Sequence, residues 1–238
     1  VLFSNRSILS SSGIVRPPET WEALTGLVPN IAVLTPARQI TRGLIGLGTY
    51  DNVQDARGIL STLFLQQGIP MSSYTSNGTL STSFGEGSGS GSTRGSAVVS
   101  FYTQFADPSK VSYTWNTSLP NSAQMFLSGD LALYLGYVSE ARYLQAANPN
   151  LNFNVTPVPQ SATATTKGVY GLIYAFMIPR GAKNATGGYQ AATLLAGSAV
   201  QVAAAAATGL APATLNELAK IPPADPIAAV SYQSALYS

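Results

Sequence analysis

The apolar residues of this chain fall in short runs, and the runs alternate with segments of helical spacing. Leu44, Ile45 and Leu47 form one run, LALYLGY (131–137) a second and GVYGLIYAFMIP (168–179) a third. A bilayer span needs about 18 apolar residues in succession, and no run here reaches that length. Short apolar runs bounded by turn residues read as buried strands. Between the first two, Val53, Ala56, Ile59, Leu60, Leu63 and Phe64 recur at helical spacing as far as Gln67-Gly68. Residues 42–68 therefore read as strand, loop and helix. Repeated along the chain, this alternation predicts a layered α/β or α+β fold.

The remaining segments fit the same scheme. VLFSN (1–5) reads as a strand already under way, so the chain is expected to begin inside a longer protein. In PPETWEAL (17–24) the prolines stop the preceding element, Thr20 suits an N-cap, Glu22 suits the first turn and Trp21 suits the core. Helices are expected over 97–108, 118–130 (with Ala123, Phe126 and Leu127 inward), 138–149, 185–207, 215–220 and 226–237. LNFNVTPVP (151–159) alternates as a strand does. Residues 72–96, which contain SFGEGSGSGSTRGS, have the composition of a flexible Gly/Ser-rich loop.

Composition excludes several kinds of chemistry. Charged residues are 9% of the 238, and 12 Lys+Arg against 10 Asp+Glu leave a net charge of +2. Nucleic-acid binders cluster their cations; these are spread thinly, so no nucleic-acid partner is expected. Cysteine and histidine are absent. Thiolate zinc sites, thiol nucleophiles and the Ser-His-Asp triad go with them. No cofactor, metal site or catalytic residue is expected.

Three constellations could still carry function. Gly46 and Gly48 stand between a predicted strand and helix, as in a phosphate-binding loop. The third glycine of that pattern is missing, and Asp51 in its place would repel a phosphate. A tight turn is the simpler reading. Carboxylate pairs for glycoside hydrolysis could be drawn from Asp51 and Asp55, one helical turn apart, or from Asp130 and Glu140 on either side of a buried strand; capping and solvated roles compete. The third constellation is aromatic and amide: Tyr50 and Asn52 in the strand-to-helix loop, Trp115 beside Tyr113 and Asn116, and Tyr137 just after a strand. Ligands in open α/β sheets bind beyond the carboxyl ends of strands. Flat rings beside amides and hydroxyls suit a neutral, hydroxyl-rich ligand such as a sugar. Each of these aromatics could equally be core.

In order along the chain, VLFSNRSILSSSGIVRPPETWEAL, FLSGDLALYLGY, NPNLNFNVTPVPQ, GLIYAFMIPRGAKNATGGYQAATLL and TGLAPATLNEL resemble the extracellular solute-binding proteins of bacterial ABC importers. The likeness is to the broad sugar-binding group that includes maltose-binding protein. It implies a periplasmic-binding-protein-like fold of type II: mostly the second lobe, with the hinge and part of the first. On that picture residues 1–14 are a hinge or crossover strand. Residues 15–165 are the lobe II α/β domain, with 72–96 its flexible loop, and 166–238 are the return crossover and a helical remnant of lobe I. The stretch that builds most of lobe I in the family has no counterpart here. Gly136 is followed by Tyr137 where the family carries a nearby tryptophan.

Carried over by position, Tyr50 and Asn52 match the family's ligand loop, Trp115 and Tyr137 would line the cleft, and Tyr170 lies by the hinge return. The resemblance implies a small-molecule solute, a sugar, as ligand and a membrane permease as partner. It implies an extracellular or periplasmic place, with a lipoprotein anchor supplied by an N-terminal segment. Two other readings remain open from the residues: a carboxylate-based glycoside hydrolase and a cell-surface adhesive module.

Overall fold

A computed structural model describes residues 1–82, 90–164, 167–220 and 223–237; of 90–93 it describes the backbone alone. The chain divides into two compact units, Val1–Tyr170 and Gly171–Ser238. In chain order the first holds β1 (Leu2–Asn5), α1 (Arg6–Ser11), α2 (Trp21–Gly26), α3 (Val28–Ile31), β2 (Val33–Leu34), β3 (Ile40–Ile45) and α4 (Ala56–Gln66). A hairpin of β4 (Ser72–Tyr74) and β5 (Leu80–Thr82) follows, then α5 (Ser90–Thr103) with a 3-10 turn at Gln104–Ala106. It closes with α6 (Ser122–Ser128), β6 (Leu131–Leu135), α7 (Glu140–Ala147) and β7 (Phe153–Thr156).

Five strands form one sheet in the order β2-β3-β6-β1-β7. β3 runs parallel to β6, with Gly43 opposite Leu131 and Ile45 opposite Leu133. β1 is antiparallel to both its neighbours, and Phe3 faces Tyr134 on one side and Val155 on the other. Every residue of β1 and β6 is buried. A strand covered on both faces has no alternation to show, so LALYL reads as a continuous apolar run. Phe3, Phe126 and Tyr134 pack at its centre, with ring centroids 5.6 Å apart for Phe3–Tyr134 and 5.5 Å for Phe126–Tyr134. Full burial of side chains of this size contributes about 1.5–3 kcal/mol each. The expected cap of α2 is present: the Thr20 hydroxyl accepts from the Ala23 N–H.

The expected loop over 72–96 is corrected in two places. Residues 72–82 contain the β4–β5 hairpin, and α5 begins at Ser90 rather than after Ser96. α5 lies beside α4, with Gly95 next to the Phe64 ring. Residues 83–89, the middle of the Gly/Ser stretch, lie outside the described residues.

The second unit holds α8 (Ala185–Leu195), α9 (Ser198–Thr208), α10 (Leu215–Leu218) and α11 (Pro226–Ala235). The single helix expected over 185–207 is broken at Gly197, whose extended backbone caps α9. No single helix among the described residues is long and apolar enough to cross a membrane. The strand expected over 168–179 is not formed: 171–178 has no regular secondary structure, and Ile173, Tyr174, Phe176 and Met177 are exposed. Apolar content alone does not make a strand. Its backbone groups need a partner edge, and no strand among the described residues pairs with this segment.

One amide side chain ties three parts of the first unit together. Gln66, at the end of α4, accepts the Trp21 indole N–H at 2.7 Å and donates to the Pro159 and Gly168 carbonyls, each at 3.0 Å. Gln66→Ala strands these part-buried groups. It is expected to lower the unfolding free energy by about 1–3 kcal/mol, read from urea denaturation; a loss below about 0.5 kcal/mol would mean water replaces the amide.

Candidate functional site

Parallel β3 and β6 end on the same side of the sheet, so the loops that follow them are neighbours. The loop after β3 turns at Gly48, whose φ of +104° and close approach to Ala106 (2.7 Å from where a Cβ would be) admit no side chain. These features explain the glycine without a phosphate. Beyond it, Asn52 uses its whole amide inside the protein. Its Nδ2 donates to the Asn116 and Leu119 carbonyls at 2.9 and 3.0 Å. Its Oδ1 accepts from the Thr49 hydroxyl at 2.5 Å and the Trp115 indole N–H at 3.2 Å. Trp115 also donates to the Thr49 hydroxyl at 3.0 Å and is 0% exposed.

Two expected ligand residues are thereby corrected. Trp115 offers no face to a ligand, because its ring is core. Asn52 has no amide valence left over, because it fastens the 49–52 loop to the 115–119 loop. Tyr50, in the same loop, is 60% exposed and lies outside the pocket described next.

The pocket belongs to the first unit. It is lined by Val1, Trp21, Asp55, Gly58, Ile59, Thr62, Leu135, Gly136, Tyr137, Val158, Val169 and Tyr170. Of the five expected site residues it brings together Tyr137 and Tyr170, both half-buried. Gly58 makes room for them: a Cβ there would be 3.0 Å from the Tyr137 hydroxyl and 3.5 Å from the Tyr170 ring. The Tyr170 N–H donates to the Thr62 hydroxyl at 3.1 Å, and the Gly168 N–H donates to Gln160 Oε1 at 3.0 Å. The backbone on which Tyr170 rides is thus pinned to α4. Tyr137 is pinned by its own N–H, which donates to Glu140 Oε1 at 2.6 Å. Burial, followed by the Asp55 charge, raises the Tyr137 phenol above its ordinary range. The hydroxyl stays neutral and able to donate.

Asp55 supplies the carboxyl of the pocket wall, and Glu140 fastens Tyr137 from behind it. Asp55 precedes α4 in a left-handed conformation, φ 56°, and its side chain makes no capping bond. Glu140 accepts from the Tyr134 hydroxyl as well as from the Tyr137 N–H. Burial raises the Glu140 carboxyl above its ordinary value. The Tyr134 and Tyr137 donors oppose the rise, and Asp55 adds to it. Of the carboxylate pairs the sequence offered, Asp55 lines the pocket and Asp51 does not. Asp130 instead accepts from the Ser128 hydroxyl and does not line the pocket. Among the described residues no group of three or more His, Cys, Asp or Glu could hold a metal.

Sequence reasoning considered Asp55 only as a possible acid–base partner of Asp51, and Glu140 only as one of Asp130, and gave Thr62 no role. The available signals were the place of Asp55 just before the apolar helical pattern and that of Glu140 three residues after Tyr137.

The sheet order, the crossing of β1 through the sheet and the pocket beyond the strand ends define an α/β protein of the periplasmic-binding type. The family of bacterial extracellular solute-binding proteins matches residues 1–229, and the chain belongs to it. No curated protein matches the chain. Among solved structures it resembles a cyclo/maltodextrin-binding protein complexed with maltotetraose (15% identity, TM-score 0.66, covering 99% of this chain and 56% of that one). It also resembles the Thermus thermophilus maltotriose binding protein bound with maltotriose (18%, 0.58, 99% and 57%). A third is UgpB from Mycobacterium tuberculosis in complex with glycerophosphocholine (14%, 0.64, 100% and 56%). At these identities the likeness is one of fold. The chain spans little more than half the length of these structures.

Trp115→Ala separates a core ring from a binding platform. A core ring predicts a loss of about 3–5 kcal/mol of unfolding free energy, measured by chemical denaturation. A platform at the surface would leave stability nearly unchanged.

Proposed function

We propose that this protein is the solute-binding component of an ABC import system, and that it captures a neutral, hydroxyl-rich solute, a carbohydrate, in the pocket beside Tyr137 and Tyr170. The observation that carries the reading is the meeting of two tyrosines and a carboxyl around one pocket. Aromatic rings supply apolar contact, while hydroxyl and carboxyl groups bond a polyol's hydroxyls. Membership of the solute-binding family supports the transport role and an extracellular or periplasmic location. The maltotetraose and maltotriose complexes among its structural neighbours support a sugar; the glycerophosphocholine complex shows that this fold also holds other polar solutes.

On this reading residues 1–14 are the crossing strand, 15–165 one lobe, and 166–238 the return crossover with part of the other lobe. Solute contacts made by both lobes stabilise the closed state through their differential affinity. The closed form then delivers its cargo to a membrane permease, and a lipidated N-terminal segment holds the protein at the membrane. No bond in the solute is made or broken.

Calorimetric titration with maltotriose tests the reading. Saturable binding without product is expected. Tyr137→Ala is expected to weaken it about tenfold or more, equivalent to about 1.4 kcal/mol, with little change in thermal stability because the ring is half-buried. Unchanged affinity in that variant would remove Tyr137 from the site. Release of shorter sugars would turn the reading toward a hydrolase.

A further inference from the structure

We propose that Gly58 is a positioning residue of the pocket: by carrying no side chain it sets how closely Tyr137 and Tyr170 seat against α4, and so how much room stands open beside them for a sugar unit. The proposal rests on the reading of this pocket as a solute site.

Gly58 is the third residue of α4 and the one glycine in that helix. A glycine inside a helix gives up stability to alanine, because its backbone has more freedom to lose on folding. Its presence there calls for a local cause, and the surroundings supply one. A Cβ at position 58 would stand 3.0 Å from the Tyr137 hydroxyl, 3.8 Å from the Tyr137 Cζ and 3.5 Å from the Tyr170 Cδ1. Carbon atoms pack at about 3.5–4.0 Å, so the last two are ordinary contacts and only the hydroxyl is crowded. All three atoms belong to the far parts of side chains that line the pocket.

Both tyrosines are held at the root. The Tyr137 N–H donates to Glu140 Oε1 at 2.6 Å. The residue before it is wedged, since a Cβ at Gly136 would lie 2.7 Å from that same oxygen and 2.8 Å from the Tyr134 ring. On the other side, the Tyr170 N–H donates to the Thr62 hydroxyl at 3.1 Å, and that hydroxyl donates to the Gly58 carbonyl at 2.9 Å. Positions four apart share one face of a helix. One turn of α4 therefore carries the anchor of Tyr170 and the seat of Tyr137.

With the roots fixed, a methyl group at position 58 is accommodated at the free end, and the Tyr137 ring swings off the helix. That end is half-buried and borders the pocket, so the swing takes up space that a solute needs. Binding constellations work only when held within about 0.5 Å of their productive geometry. Folding tolerates the swing, because no backbone atom is pressed; binding does not.

The test is G58A, made in the wild type and in a Y137F background, and read by thermal unfolding and by calorimetric titration with maltotriose. G58A is expected to melt at the wild-type temperature or a few degrees above it. It should bind maltotriose about tenfold or more weakly. Y137F removes the crowded oxygen, so in that background G58A should cost about twofold or less, the mark of coupled residues. Wild-type affinity in G58A, or the same loss in both backgrounds, would overturn the proposal. So would a marked fall in melting temperature, which would make Gly58 a requirement of folding.

A reading without solute keeps this proposal apart from the one beneath it. In protein with isotope-labelled tyrosine rings, G58A should move the NMR signals of Tyr137 and leave those of the buried Tyr102 and Tyr113 in place. Unmoved Tyr137 signals would overturn the seat on Gly58. If maltotriose does not bind the wild-type protein, the solute reading fails, and the ring signals still decide whether Gly58 seats Tyr137.

Discussion

Strand β1 enters the sheet antiparallel between β6 and β7, and this placement decides which loops can meet. β6 is thereby committed on both edges, parallel to β3 on one and antiparallel to β1 on the other. The carboxyl ends of β3 and β6 then point the same way, and the amino end of β1 arrives beside them; Gly136 N–H donates to the Val1 carbonyl at 3.2 Å. The pocket is the space left where the end of β6 and the start of β1 meet α4. Removing β1 from the sheet would open the Phe3–Phe126–Tyr134 cluster and, with it, the floor beneath Tyr137.

Amide side chains do much of the fastening in a chain with so few charges. Asn52 joins two loops at one corner of the sheet, and Gln66 joins α2, α4 and the segment leading to Tyr170. A neutral amide can donate and accept at once, so one residue can satisfy several part-buried backbone groups without the desolvation cost of an ion. The part-buried acid after β6 is held in the same way by neutral donors: Glu140 accepts the Tyr134 hydroxyl and the Tyr137 N–H.

The framework was legible because each of its elements announces itself locally. β3 and β6 are apolar runs, α2 carries its Thr20 cap, and α4 shows helical spacing. The five-strand order was not legible, since pairing is non-local. At the site, Tyr137 was readable as an aromatic just after a strand, and Tyr170 only through the family resemblance. Trp115 and Asn52 were readable only as a plausible platform; nothing in the sequence shows that the indole N–H and the amide bond one another. Asp55 was readable as one of a possible carboxylate pair with Asp51, but not as a pocket residue, because the position before a helix normally spends an aspartate on capping. Residues 171–178 have the composition of a strand, but whether an apolar segment becomes one depends on a partner edge that its own sequence does not encode. Ser90–Ser96 joined a helix because Val98 and Tyr102 further along bury that helix against the core.

The most direct measurement of the central claim is a crystal structure of the protein with bound maltotriose. The account predicts a sugar ring against Tyr137, with a hydroxyl within hydrogen-bonding distance of Asp55 and Tyr170 at its edge. A sugar seated on the exposed Tyr50 loop, with the pocket beside Tyr137 unfilled, would contradict it.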